Sequence, residues 1–225
     1  ITPADLRARL FRIADDSMMG REPGGVGDFR TADYVAAEFR RLGLEPAGDH
    51  GTFFQTVPFY RVGADPATRL SAGSRQLVPG PELILATAPR AQRTLTHVAT
   101  VYAGRLNDST HWAPAESLAG RVAVFTMAPA PDGSRAPLRI AGYLRNPRLA
   151  GAALVIVAGL EDVPPEYQAA MAAGRLVTDT TTAPGAPRFA VALVTSSVAD
   201  ALFRAPLDRT APGTAGTPVD GVVGF

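Results

Sequence analysis

Leu6, Leu10, Ile13 and Ala14 recur at the three- and four-residue spacing of one helix face, with Arg7, Arg9 and Arg12 among the positions between them. Thr2 can cap that helix, Pro3 fits its first turn and Asp5 favours its positive end, so an amphipathic helix is predicted at the start. A second is predicted from about Arg30 to Leu42. There Ala32, Val35, Ala36, Phe39 and Leu42 fall together, while Arg30, Asp33, Arg40 and Arg41 take the other faces. Asp28 is the candidate cap and Gly43 the candidate stop. After Pro46, Gly48 and Gly51 the run TFFQTVPFYRV is aromatic and β-branched and predicts a strand, which Pro58 confines to an edge or a bulge. This first region ends near Val62.

From Asp65 the pattern changes to short apolar runs divided by proline and glycine: around Leu70, at Glu82–Ala86 and at Leu95–Gly104. Gly120 then turns the chain into a strand carrying Val122, Val124 and Phe125, followed by a helical stretch to about Gly151 and the buried strand AALVIVAG. Strand, crossover and strand make a βαβ unit, with the crossover interrupted at Asn146-Pro147 because proline cannot donate the interior hydrogen bond. Pro164 and Pro165 open a short helix running through Met171 and stopping at Gly174. Arg188–Val194 is another strand, and Ser197 with Asp200 predicts a capping box for a helix holding Leu202 and Phe203. Residues 204–218 read as linker, and VDGVVGF restarts a strand. The fold class expected is α/β of mixed α+β character: two amphipathic helices and a strand, then a β-rich module with a βαβ unit and flanking helices. The corresponding divisions are 1–62, 65–220 and 221–225. No repeat of fixed period is present.

A chain of 225 residues that is 46% hydrophobic can bury a substantial core. All 22 basic residues are arginine, spread along the sequence, and the net charge is +1, which supplies no electrostatic footprint for nucleic acid or an anionic membrane. Cysteine is absent, so disulfides, thiolate metal sites and cysteine nucleophiles are excluded together. The longest strongly apolar stretch, Ala150–Leu160, is far short of the ~20 residues that span a bilayer, so no membrane span is expected. The first residue is Ile1 and no signal-like segment precedes it, which suggests a removed leader and a secreted or periplasmic location.

Candidate chemistry is sparse. His50, His97 and His111 are the only histidines, and none sits in H-x-x-x-H, H-E-x-x-H or H-x-D spacing. His111 beside Trp112 is the one setting where an aromatic and an imidazole could line a cleft, so these two are weak cleft candidates against a packing role. There is no G-x-S-x-G elbow and no lysine to complete a Walker loop, and glycines 20, 24, 25 and 27 lack the third glycine and the preceding strand of a dinucleotide site. Glu161 and Asp162 read as a solvated turn. No catalytic or metal-ligating residue is assigned. A hydrolase combining a serine with one of the histidines ranks last among the functional readings.

Gly20-Arg21, Gly24, Gly27, Ala32, Tyr34 and Phe39, then LGLEPAG at Leu42–Gly48 and FFQ at Phe53–Gln55, resemble the N-terminal segment of secreted zinc aminopeptidases related to glutamate carboxypeptidase. The segments LAGRVAVFTMAP, RLAGAALVIVAG and RFAVALVTSSVADALF resemble the protease-associated domain inserted in many members. The resemblance implies two zinc ions held by an H-x-D element, a bridging Asp, a Glu-Glu pair, a further acid and a last histidine. None of these motifs is in this sequence, so this chain alone is expected to bind no catalytic zinc and to hydrolyse nothing. The implied partners are a catalytic domain beyond Phe225 and the peptide substrate of the parent enzyme. The face made by Leu6, Leu10, Ile13, Val35, Phe39 and Leu42 stabilises the fold only if covered, which leaves self-association through exposed helix faces open. Residues 1–62 are accordingly expected to pack less completely than 65–220. Arg21 is a candidate loop anchor, buried and pairing with a carboxylate or carbonyls. The competing reading is a free-standing protein- or peptide-interaction module without enzymatic activity.

Overall fold

The computed structural model describes residues 1–88, 92–127, 140–143, 145–178 and 189–225. The chain divides into two compact units, Ile1–Tyr60 with Leu176–Thr181, and Arg61–Arg175 with Thr182–Phe225.

The first unit is helical. Helix α1, Pro3–Ala14, starts with a complete capping box: the Thr2 hydroxyl accepts from the Asp5 amide at 3.2 Å and the Asp5 carboxylate accepts from the Thr2 amide at 2.8 Å. The Thr2 amide first, and the Thr2 hydroxyl second, both donating to the Asp5 carboxylate, hold its carboxyl below the ordinary aspartate value. Helix α2, Val26–Arg41, begins four residues earlier than its apolar spacing predicts, and its N-cap is Gly25. Asp28 lies inside the first turn, where its carboxylate accepts from the Gly24 amide at 2.9 Å and stabilises the helix start from within. The early start depends on Gly27, because a Cβ there would lie 1.8 Å from the Met18 carbonyl of the preceding loop. At the other end the Leu44 amide donates to Phe39 and the Gly43 amide to Arg40, with Gly43 at φ +72°, which is the Schellman arrangement that glycine permits.

The expected strand over TFFQTVPFYRV forms only at its end, as β1, Tyr60–Val62. Upstream of it the backbone bonds to itself. Gly48 donates to Thr52, Asp49 to Phe54, and the Thr56 amide to the Asp49 carboxylate at 2.7 Å, so the groups a ladder would need are already used in a compact loop.

The second unit is built on an eight-stranded mixed sheet in the order β3-β2-β10-β5-β6-β7-β9-β4. Its members, in chain order, are β2 (Arg69–Ala72), β3 (Arg75–Leu77), β4 (Leu83–Thr87), β5 (Arg93–Arg105), β6 (Val122–Thr126) and β7 (Leu154–Ala158), then β9 (Ala190–Val194) and β10 (Ala215–Val223). The short β8, Arg175–Val177, is not part of it. Strands β5, β6, β7 and β9 run parallel; β2, β3, β4 and β10 are antiparallel to their neighbours.

Side chains of the central strands alternate between two closed cores. Val122, Val124, Leu154, Ile156, Ala192 and Val194 point to one face, where α6 (Ser196–Phe203) packs through Val198, Ala199 and Leu202. Ala123, Phe125, Val155, Val157, Val191 and Leu193 point to the other, covered by Leu118 of α3 (Ala115–Leu118), Leu149 of a 3-10 turn and Met171 of α5 (Pro165–Ala172). Between β6 and β7 the described crossover comprises α4, Ile140–Tyr143, and that turn, which Asn146 caps by accepting from the Arg148 amide at 3.0 Å. The helical stretch expected across 128–139 and the Arg188 start of the strand lie outside the described residues.

Residues 204–218, read as linker, hold a 3-10 turn at Leu207–Arg209 and the first part of β10. Gly221–Val223 continue β10 between β2 and β5. Pro218 interrupts the interior of that strand, where the register against β5 shifts between Gly216 and Val219. The capping box expected from Ser197 and Asp200 is not formed. Thr195 is the N-cap, the Ser196 amide donates to the Glu161 carboxylate at 3.1 and 3.2 Å, and Asp200 accepts from the Leu207 amide at 2.9 Å.

Candidate functional site

The parallel strands of the second unit end on a cleft. After β5, β6 and β7 the chain leaves the sheet toward the face covered by α3 and α5, whereas after β9 it leaves toward the opposite face as α6. Neighbouring strands β7 and β9 therefore send their connections apart, and a crevice opens beyond their carboxyl ends, the place where open α/β sheets bind ligands. Gly159 makes this departure sterically possible at β7, with φ +108°. The cleft has a volume of about 490 Å³ and is lined by Arg105, Thr126, Met127, Ala158, Gly159, Asp162, Ser196, Asp200, Pro206, Leu207 and Asp208.

A second cleft, of about 350 Å³, shares Arg105, Leu207 and Asp208 with the first and continues to Tyr102, Asp108, His111, Thr210 and Pro212. His111 Nδ1 lies 2.7 Å from an Asp108 carboxylate oxygen and 3.0 Å from the Thr110 hydroxyl, which itself donates to Asp108 at 2.6 Å. The Thr110 hydroxyl first, and His111 second, hold the Asp108 carboxyl below the ordinary aspartate value. Asp108 engages Nδ1, so Nε2 is the ring nitrogen left to face a ligand.

The loop carrying His111 is held from beneath. Trp112 is buried, packs against Phe125 with the rings tilted and their centroids 4.9 Å apart, and donates its indole N–H to the Arg105 carbonyl at 2.7 Å. The Arg148 guanidinium lies 5.5 Å from the Trp112 ring and donates to the carbonyls of Ser109, Trp112 and Ala113 at 2.8, 3.2 and 2.9 Å. Gly104, at φ +110°, completes the approach, since a Cβ there would lie 3.1 Å from the His111 carbonyl.

The residues singled out from the sequence are thus placed as follows. His111 is exposed at a cleft wall and Trp112 is a buried prop beneath it. Arg21 is exposed, with φ +58°, and its guanidinium donates to the Ile13 carbonyl in the first unit. Glu161 and Asp162, read as a solvated turn, are exposed, yet Glu161 caps α6 and Asp162 lines the larger cleft. Arg105, Asp108, Arg148 and Asp208 were not singled out. Asp108 was legible as an acid three residues before a histidine. Arg148 was not, because its partners lie 35 to 39 residues away in sequence.

The ligand set for two zinc ions does not fit these residues. His50 stands in the 49–51 turn, His97 sits at the irregular pairing of β5 with β10 with its ring 3.9 Å from Asp220, and His111 is bound to Asp108 and Thr110. Among the described residues no three or more acidic or histidine side chains converge as a metal site. Also among the described residues, no helix is long and apolar enough to cross a membrane.

No protein-family model and no curated protein matches the chain. Among solved structures the fold is distantly similar to an aminopeptidase from Aneurinibacillus sp. strain AM-1, with 18% identity and a TM-score of 0.38 over 89% of this chain and 40% of that one. The chain therefore spans less than half the length of that aminopeptidase.

Proposed function

We propose that the chain is a non-catalytic N-terminal and protease-associated portion of a secreted zinc aminopeptidase, in which the β module shapes peptide access to a catalytic domain that also covers α1 and α2. The supporting observation is the open apolar surface of the first unit. Leu6, Leu10 and Phe11 of α1 are 58, 65 and 69% exposed, and Leu42 after α2 is 55% exposed. At about 25 cal/mol per Å² of apolar area, leaving such a face in water forgoes several kcal/mol that a covering element would recover. The order of Gly20-Arg21, Gly24, Gly27 and the LGLEPAG segment resembles the peptidase family in which a catalytic sheet provides that cover. In this reading the zinc ions, the general base and the hydrolysis belong to the catalytic domain, and the β module contributes its clefted edge to the approach of the peptide.

The test combines amide exchange with an aminoacyl-arylamide assay, on the 225-residue chain and on the product of the longer reading frame. Support would be an H-x-D element and a Glu-Glu pair downstream, activity confined to the longer protein, and slowed exchange of α1 and α2 in it. Exchange of α1 and α2 as slow as that of β5–β7 in the monomeric shorter chain, or turnover by that chain, would overturn the reading.

A further inference from the structure

The waist between the two clefts carries an uncompensated pair of opposite charges. Arg105, at the end of β5, and Asp208, in the turn after α6, line both cavities. Among the described residues neither side chain has an ion-pair or hydrogen-bond partner. A guanidinium and a carboxylate that face one cavity without neutralising each other suit a ligand that brings both complementary charges.

The surroundings narrow the ligand. The amide that α6 would present to a phosphate is already occupied, because Ser196 N–H donates to the Glu161 carboxylate; a nucleotide or sugar phosphate therefore meets an installed negative charge there. A metal cation is disfavoured by geometry, since no described set of acids converges. Met127, Ala158, Pro206 and Leu207 provide an apolar surface beside the charges, and each cavity falls within the size range of small-ligand sites, about 300–1,000 Å³.

We propose that the double cleft binds a small organic zwitterion, a free amino acid or unblocked short peptide, with its carboxylate on Arg105 and its ammonium on Asp208. Asp162 also lines the larger cleft, and the smaller cleft, walled by His111, receives the remainder of a longer ligand. The site lies wholly in the second unit, so it stands or falls independently of the peptidase reading, which rests on the first.

The experiment is a titration of the 15N-labelled 225-residue chain, followed by amide spectra, with alanine, alanyl-alanine, N-acetyl-alanyl-alanine and alanyl-alanine amide. Saturable shifts at Arg105, Gly159 and Asp208 are expected with the unblocked ligands at millimolar concentration, weakened roughly tenfold by blocking either end, as loss of one charge-assisted contact requires. Arg105→Gln should abolish discrimination against the amide and Asp208→Asn discrimination against the acetylated form; both side chains are exposed, so both variants fold. Binding of alanine and dipeptide alike assigns an amino-acid site, and binding of the dipeptide alone a peptide site; either supports the proposal. Absence of saturable shifts, equal binding of blocked and unblocked ligands, or indifference to both substitutions overturns it.

Discussion

The two units divide the same apolar residue types very differently. In the second, Phe125, Leu154, Leu193, Val122 and Val124 are inaccessible to solvent because the sheet has helices or turns on both faces. In the first, among residues 1–60, Met18 and Ala36 are the buried hydrophobic side chains, while Leu6, Leu10, Phe11, Val26, Phe29 and Leu44 are exposed. Local signals are nonetheless at least as good in the first unit, with a full capping box at α1 and a Schellman stop after α2. Well-formed ends make a helix; only an opposing layer makes a core.

The widest expected gap between the units is in truncation. Phe125→Ala removes a ring packed against Trp112 and should cost about 3–5 kcal/mol by urea denaturation, whereas Phe11→Ala on exposed α1 should stay within about 0.5 kcal/mol. Equal losses would erase the distinction. Arg148→Ala comes next, at about 1.5–3 kcal/mol, because it strands carbonyls that three charged hydrogen bonds now satisfy. Its fluorescence signature is a shifted Trp112 emission, and an unchanged spectrum would mean the loop holds itself.

In the first unit the sensitive position is a backbone contact. Gly27→Ala should cost about 1–3 kcal/mol by driving a Cβ into the Met18 carbonyl, and exchange of α2 amides should quicken while those of β6 and β7 do not. A smaller change of opposite sign is expected at Thr100, whose buried hydroxyl has no partner among the described residues. Thr100→Val should raise stability by about 1 kcal/mol; destabilisation would point to a partner such as water.

The mildest effect is in pH. Thr110 and His111 depress the Asp108 carboxyl, so their stabilisation is fully present above the ordinary aspartate value of 3.8 and is lost as pH falls through the lower folded value. Amide shifts of Thr110 and His111 should therefore move together as pH falls below that value and Asp108 takes up its proton. Movement confined to Thr110 would show that the pair is not coupled through Asp108.

Much of the element pattern could be read along the chain. The strand around Leu70, the runs Glu82–Ala86 and Leu95–Gly104, the strand carrying Val122, the run AALVIVAG and the helix after Pro164 all correspond to elements of the sheet or its cover. The misreadings share a cause. The aromatic run before Tyr60 has strand propensity, but its Thr52 and Phe54 carbonyls already accept from the Gly48 and Asp49 amides, and its Thr56 amide donates to the Asp49 carboxylate. Ser197 and Asp200 have capping-box spacing, but Glu161 from a different connection reaches the helix end first. Propensity is a local preference, and a closer hydrogen-bond partner overrides it.

The site was less legible than the fold. His111 drew notice for its aromatic neighbour, yet its cleft depends on Arg105, Asp108 and Asp208, and its loop depends on Arg148. The amino-acid order by itself determined where α1 begins, which residues of a strand share a face, and the exclusion of cysteine chemistry, because caps, periodicity and composition act over a few residues. Tertiary structure alone decided that β7 and β9 lie side by side with connections leaving to opposite faces, and that Arg105 and Asp208 border one cavity. Those juxtapositions come from strand order, which is set by packing between segments dozens of residues apart.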